Sequence, residues 1–293
     1  VIMNCFNGEQ YLRKAIDSVL NQTYQNWELI FWDNQSTDSS SKIILSYEDA
    51  RIHYYYAPTH SLLYEARNNA ILKTSGDFLA FLDVDDWWEP QKITMQIVEF
   101  NDPEVGLVCG NFQIHNEGLG TSYPKWKGIK SSGMILSQIL NDYHIGLLTM
   151  VVRKKVYESL GGFDNRFHII GDFEFSVRLA ISWKIMTLQG IIANCRLHGE
   201  NEILLKQPLN VKELKSWLKE AKKQKSINQE YLKNIENKIH YKESRINLQK
   251  RNYSQLWLTM KPLFPSLLFF KILLMSLLND SQIHFLKRLV KFA

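Results

Sequence analysis

With 293 residues, 45% of them apolar, the chain can bury a sizeable core as one large domain or two small ones, which excludes a disordered chain. Its net charge of +5 hides an asymmetry: residues 1–205 carry 17 Lys/Arg against 24 Asp/Glu, and residues 206–293 carry 18 against 6. Three cysteines, Cys5, Cys109 and Cys195, show no Cys-x-x-Cys spacing, which argues against a zinc site and for a reducing compartment.

Val1-Ile2-Met3 reads as the tail of a strand already under way, so a few residues are expected to precede it. A polar loop from Asn4 to Gly8 leads to a helix with apolar residues at Tyr11, Leu12, Ala15, Ile16, Val19 and Leu20, the doubled spacing of a buried stripe. Trp27 to Trp32 is a strand, Asp38 caps a short helix through Tyr47, and Ile52 to Ala57 is the next strand. A helix from Leu62 to Lys73 stops near Gly76. The apolar strand Asp77-Phe78-Leu79-Ala80-Phe81-Leu82 then runs into Asp83-Val84-Asp85-Asp86 and delivers three carboxylates to one point.

Hard oxygen ligands in that number suit Mg²⁺ or Mn²⁺ and leave room for phosphate oxygens. Asp86 has a second reading, as the start signal of a helix through Trp87-Trp88-Glu89-Pro90 and the periodic run beyond it. That reading leaves Asp83 and Asp85 unexplained. Strands alternating with helices through short loops predict a mostly parallel α/β sheet. In such a sheet the loops after Met3, Trp32 and Leu82 share the carboxyl edge, where ligands bind.

Beyond residue 100, Val105 to His115 is strand-like, and a loop with Gly118, Gly120, Pro124 and Gly128 follows. A helix ends at Gly161-Gly162, another runs from Asp172 to Ile181, and Lys184 to Leu197 is a strand. In the basic tail, Leu214, Trp217, Leu218 and Ala221, then Leu232, Ile235, Ile239 and Ile246, fall at helical spacings. Leu263 to Leu278 is nearly all apolar but is interrupted by Pro265 and Lys271; a central Lys costs about 2.5 to 3.5 kcal/mol in a spanning helix, so a buried or interfacial helix is expected. The end of the chain sets His284, Lys287, Arg288 and Lys291 apart from Ile283, Leu286, Leu289 and Val290, the pattern of a helix lying on anionic lipid.

Several motifs in one order make the chain resemble the inverting family 2 glycosyltransferases of bacterial cell-surface polysaccharide type, nucleotide-sugar enzymes of the GT-A fold, over roughly residues 1–200. They are Phe6-Asn7 before Tyr11-Leu12, Ser18-Val19-Leu20-Asn21-Gln22-Thr23-Tyr24, Asp33-Asn34-Gln35-Ser36-Thr37-Asp38, Ala66-Arg67-Asn68, Gly76-Asp77, Asp83-Val84-Asp85-Asp86, Gly161-Gly162-Phe163-Asp164 and Gly171-Asp172. The resemblance implies a Rossmann-like mixed sheet flanked by helices with a C-terminal helical tail. Residues 1–100 would form the nucleotide-sugar half, 101–205 the acceptor half, and 206–293 a basic helical extension that associates with a membrane.

By the same resemblance, Asp33 accepts from the N3–H of uracil or thymine, Phe6 stacks on that base with Asn4 on the same loop, and Arg67 reaches base or phosphates. Asp83 touches the ribose, Asp85 holds the metal through the diphosphate, His198 joins it, and Asp172 is the catalytic base, with Glu174 the weaker alternative. Trp32 stands where Asp is common, Gln35 where Gly is common, and Glu200-Asn201-Glu202 lacks a serine. The implied activity is transfer from a UDP-sugar, or a dTDP-sugar, to a saccharide or lipid-linked acceptor, with Mn²⁺ or Mg²⁺. The implied location is cytoplasmic, on the inner face of the membrane, with no nucleic-acid partner. A metal-dependent nucleotidyltransferase would need a basic phosphate-gripping loop, which Asn4 to Gly8 lacks. A non-catalytic sugar-nucleotide binder would have no use for Asp172.

Overall fold

Strand β1 (Ile2–Cys5) is buried along its whole length and pairs in parallel with β2 (Leu29–Asp33), which pairs in parallel with β3 (Ile52–Tyr56). The computed structural model describes residues 1–277. Between these strands run α1 (Leu12–Leu20) and α2 (Ser40–Leu45); α3 (Leu63–Ile71) leads on to β4 (Phe78–Ala80). The apolar stripe of α1 is buried as its spacing predicts, with Leu12, Ala15, Ile16 and Val19 fully covered in one core with Met3, Leu29 and Phe31. The first strand runs two residues past Met3, so Asn4 and Cys5 belong to it rather than to the loop. Asp38 accepts from Ser40 N–H at 2.9 Å and from Glu9 N–H at 2.9 Å, so it serves two loops at once.

A second sheet runs β4–β8–β6–β9–β5, built from β5 (Trp87–Trp88), β6 (Val105–Asn116), β8 (Val151–Arg153) and β9 (Lys184–Leu197), with β7 (Thr121–Pro124) folded back on β6. Here β6 and β9 are parallel, and the other ladders are antiparallel. The loop expected after His115 therefore contains a hairpin strand. A single parallel bridge, Ile2 to Phe81, with Leu82 N–H donating to Ile2 carbonyl at 3.0 Å, sets the strand before Asp83 beside β1.

The helix-start reading of Asp86 fails. Trp87 and Trp88 pair with Asn194 and Ala193 as a short strand, and α4 (Lys92–Ile97) begins only afterwards. Asp86 is 7% exposed and accepts from Arg196 N–H at 2.9 Å, which ties the carboxylate loop to β9.

After α5 (Leu136–Asn141), α6 (Lys154–Ser159) ends at Gly161 and Gly162, whose φ values of +77° and +74° are the left-handed conformation that favours glycine. Helix α7 (Gly171–Ala180) precedes β9, and the short α8 (Glu202–Leu205) follows it. Residues 1–204 and the residues from 205 onward form two compact units. In the second, α9 (Gln207–Ala221) buries Leu214, Trp217, Leu218 and Ala221, and α10 (Gln229–Gln249) buries Leu232, Ile235 and Ile239. Helices α11 (Tyr253–Met260) and α12 (Leu267–Leu277) enclose a small core of Leu256, Met260, Leu263, Phe269 and Ile272. Among the described residues no helix is long and apolar enough to cross a membrane. The terminal basic stretch with Lys287, Arg288 and Lys291 lies outside the described residues.

Candidate active site

Two loops at the carboxyl edge of the first sheet are stitched together by side chains. Asn7 Oδ1 accepts from Thr37 N–H at 2.8 Å, Asn7 N–H donates to Ser36 Oγ at 3.0 Å, and Gly8 N–H donates to Ser40 Oγ at 3.0 Å. A Cβ on Gly8 would stand 2.7 Å from Val84 Cγ2, so the missing side chain lets the first loop close on the carboxylate loop.

Asp33 ends β2 with no exposure to solvent. Its Oδ1 accepts from Ser36 N–H at 2.7 Å and its Oδ2 from the Tyr54 hydroxyl at 2.9 Å. Burial, followed by that carboxylate, raises the Tyr54 pKa, so the hydroxyl stays a donor. Phe6 is 53% exposed, its ring centroid 4.5 Å from that of His60, whose Nδ1 lies 2.8 Å from the Asn34 carbonyl. Asn4 is buried on the face of β1 that Ile2 shares, opposite Met3 and Cys5, and both polar atoms of its amide lack a partner. A buried amide without partners points to a ligand or ordered water.

Helix α3 supplies the next link. The Arg67 side chain is 3% exposed and its Nη2 meets Asp83 Oδ1 at 2.5 Å, leaving the Asp83 side chain 38% exposed. One turn earlier on the same face, Tyr64 lies under the Arg67 guanidinium at 4.9 Å and donates to Asp172 Oδ1 at 3.2 Å. Tyr143 donates to Asp172 Oδ2 at 3.2 Å. Burial raises the Asp172 pKa from its ordinary value, against the Phe173 N–H, the Arg67 charge and the two hydroxyls. Burial, then the Asp172 charge, pushes both tyrosines well up, so both remain donors.

Asp172 sits in the first turn of α7, where helix N–H groups favour a negative charge. The preceding Gly171 has a local reason: a Cβ there would fall 2.5 Å from the Tyr64 ring. Glu174 does other work. It is 6% exposed, paired with Arg178 at 2.5 Å, and Arg178 also donates to the carbonyls of Leu160 and Gly162. This pair fastens α7 to the double-glycine turn. Asn68 fastens the same turn to α3, accepting from Phe163 N–H at 3.1 Å and donating to Phe163 carbonyl at 2.8 Å.

Asp85 and His198 meet as well, Nε2 to Oδ2 at 3.0 Å, and Asn201 Nδ2 lies 3.1 Å from the same oxygen. Burial, then the Asp83 charge, raises the Asp85 pKa. Arg196 donates through Nε to the Asp85 carbonyl at 3.1 Å and pairs with Glu117 at 2.6 Å. Among the described residues no three His, Cys, Asp or Glu side chains gather as a complete metal cage.

The structure thus joins Asp83 to Arg67, Asp85 to His198, and Asp172 to α3 through Tyr64, while Asn4 meets no partner among the described residues. Sequence reasoning missed Tyr64, Tyr143, Arg196 and Asn201. The spacing of Tyr64 and Arg67 on a helix was a usable signal; nothing local marked Tyr143.

A family model described as glycosyl transferase family 2 matches residues 1–161. The chain is 34% identical over 152 residues, 52% of its length, to the UDP-Glc:alpha-D-GlcNAc-diphosphoundecaprenol beta-1,3-glucosyltransferase WfgD of Escherichia coli, and covers 58% of it. It is 30% identical over 169 residues, 57% of its length, to glycosyltransferase GlyA of Streptococcus pneumoniae, and covers 21% of it. The chain therefore spans less than two thirds of either relative. Among solved structures, S. aureus TarS 1-349 in complex with UDP-GlcNAc superposes with a TM-score of 0.67 at 14% identity, covering 88% of this chain and 78% of that one. The mannosyltransferase PcManGT from Pyrobaculum calidifontis, in complex with GDP-Man and Mn²⁺, gives 0.65 at 13%, covering 94% and 78%. At such identities the likeness is one of fold, and the fold is GT-A.

Proposed function

Because the chain belongs to glycosyl transferase family 2, we propose that it is an inverting glycosyltransferase that moves a sugar from a UDP-sugar to a hydroxyl of a lipid-linked saccharide in surface polysaccharide synthesis. The observation that carries this reading is the use made of one helix: α3 holds Asp83 through Arg67 and Asp172 through Tyr64. A nucleotide-facing carboxylate and a single base thereby share one support.

In this reading the uracil stacks on Phe6, its N3–H reaches Asp33, and the unpartnered Asn4 amide takes a further polar edge of the nucleotide. Asp83 accepts from the ribose hydroxyls. The half-exposed Asp83 and the covered Arg67 suit these roles: the carboxylate faces the ligand while the guanidinium holds it. Base discrimination follows from Asp33, because a fixed acceptor favours a base that presents N–H at that point.

Asp172 takes the proton of the acceptor hydroxyl while that oxygen attacks the anomeric carbon from the face opposite the diphosphate. The bond from that carbon to the diphosphate oxygen breaks, UDP leaves with the bonding pair, and the anomeric configuration inverts. A raised pKa makes Asp172 a stronger base than an ordinary aspartate. The residues at Asp85 fit a hard divalent cation: an oxygen and an imidazole nitrogen already adjacent, with space in the shell for diphosphate oxygens. Asp85 and His198 would hold Mn²⁺ or Mg²⁺, which when bound neutralises the charge that grows on the departing diphosphate.

A membrane-borne acceptor agrees with the basic second unit, since anionic lipid attracts Lys/Arg-rich surfaces. The decisive test is Asp172→Asn. Calorimetry should find UDP binding in Mn²⁺ unchanged, while transfer from the UDP-sugar falls by about 10²- to 10⁴-fold. Transfer at the parent rate would refute the assignment of the base.

A further inference from the structure

Helix α12 wears its polarity inside out. Its inner side, Phe269 and Ile272, closes the small second core. Its outer side carries Leu267, Phe270, Leu273, Leu274 and Leu277, between 38% and 75% exposed, with Lys271 the one charge among its described residues. A surface helix in water carries charged and polar residues there, and a helix apolar all round is covered by protein or by lipid. Helix α11 continues the pattern, with Tyr253, Trp257 and Leu258 at 61%, 56% and 61% exposure. From Tyr253 to Leu277 there is no Asp or Glu, while Lys250, Arg251, Lys261 and Lys271 lie on or beside this stretch.

We propose that the outer face of α11 and α12 is a docking surface for an anionic lipid bilayer, along which these two helices lie. The described part of α12, Leu267–Leu277, covers about 16 Å, against a hydrocarbon core of about 30 Å, and among the described residues no helix is long and apolar enough to cross a membrane. That length, with Lys271 within it, suits a helix laid in one leaflet. Trp and Tyr settle at the level of lipid headgroups, and lysines extend from an embedded face to the phosphates. Charge decides against a second copy of the chain as the occupant. Two such faces in contact would bring Lys261 and Lys271 of each copy together with no carboxylate among the described residues of α11 and α12 to pair them, whereas lipid phosphates supply the missing charge.

The transferase reading gives this surface its purpose, a membrane-borne acceptor, but vesicle binding stands apart from donor binding. The full chain is sedimented with phosphatidylglycerol-containing vesicles and with phosphatidylcholine vesicles at low and high salt, and UDP affinity is measured in parallel. The parent should follow the anionic vesicles, less so at high salt. The double variant Leu267→Glu, Leu274→Glu should bind them more than about 10-fold more weakly with UDP affinity intact. Lys271→Glu should lose less and flatten the dependence on lipid charge. Brominated lipid should quench tryptophan fluorescence of the parent, and Trp257→Phe should remove most of that quenching, a readout that does not depend on the acidic variants folding. A double variant that binds as the parent does would overturn the proposal, as would a parent that ignores vesicles or dimerises through Leu274. Vesicle binding without UDP binding sinks the transferase reading alone; UDP binding without vesicle binding sinks this one alone.

Discussion

The tyrosine hydroxyl that closes on Asp33 stands nearer than the two that close on Asp172. Asp33 is shut from solvent, with a backbone N–H at 2.7 Å and a hydroxyl at 2.9 Å. Asp172 is partly open, and two tyrosine hydroxyls stand off its oxygens at 3.2 Å each. A carboxylate meant to recognise a ligand gains from being fixed, since orientation is then settled before binding. One meant to receive a proton must be able to exchange its partners for the incoming hydroxyl, and long hydrogen bonds are given up at less cost. The two carboxylates therefore differ in the way their proposed roles require.

Substitution at each breaks the contrast differently. Asp33→Ala should produce the larger effect after loss of the base itself. It removes a charge-assisted acceptor worth about 1.5 to 3 kcal/mol, so UDP affinity by calorimetry should fall about 10- to 100-fold. It also orphans Tyr54 and Ser36 in a closed site, so the melting temperature should fall with it. An unaltered UDP affinity would remove Asp33 from the nucleotide site.

Gly171→Ala acts on the other side. The added Cβ meets the Tyr64 ring at 2.5 Å, and such overpacking costs about 1 to 3 kcal/mol. We expect kcat to fall about 10-fold, because Tyr64 must move and Asp172 with it, while UDP affinity changes less than about two-fold. Equal loss in both would mean that the Tyr64 link does not separate the two ends.

The difference between the two sites also marks what a sequence can disclose. Asp33 and the Asp83–Asp85 pair follow apolar strands and are legible as strand-end carboxylates, because strand order alone brings such ends together. The partners of Asp172 are not legible, since Tyr64 lies 108 residues before it and Tyr143 is 29 residues before it on a different element. The place of Asp86 is out of sight for the same reason, its partner Arg196 lying 110 residues away. Gln35 stands where glycine is common in the family, and its φ of +70° explains the preference; here its amide compensates by donating to the carbonyls of Ala57 and Pro58. In α12 the apolar run is visible in the sequence, but which side faces out depends on the small core behind it.

Tyr143→Phe gives the smallest and most discriminating effect. The hydroxyl donates to the charged form of Asp172 and so lowers its pKa, while burial raises it more. Removing the donor should raise that pKa further. The base works deprotonated, so transfer is lost as pH falls through its pKa. In the variant the acidic limb of the kcat/KM profile should move to higher pH, costing activity severalfold on the limb and little on the plateau. UDP affinity should not change. A uniform loss at every pH would make Tyr143 a packing residue, and an acidic limb moved to lower pH would reverse the sign on which the assignment of Asp172 as base depends.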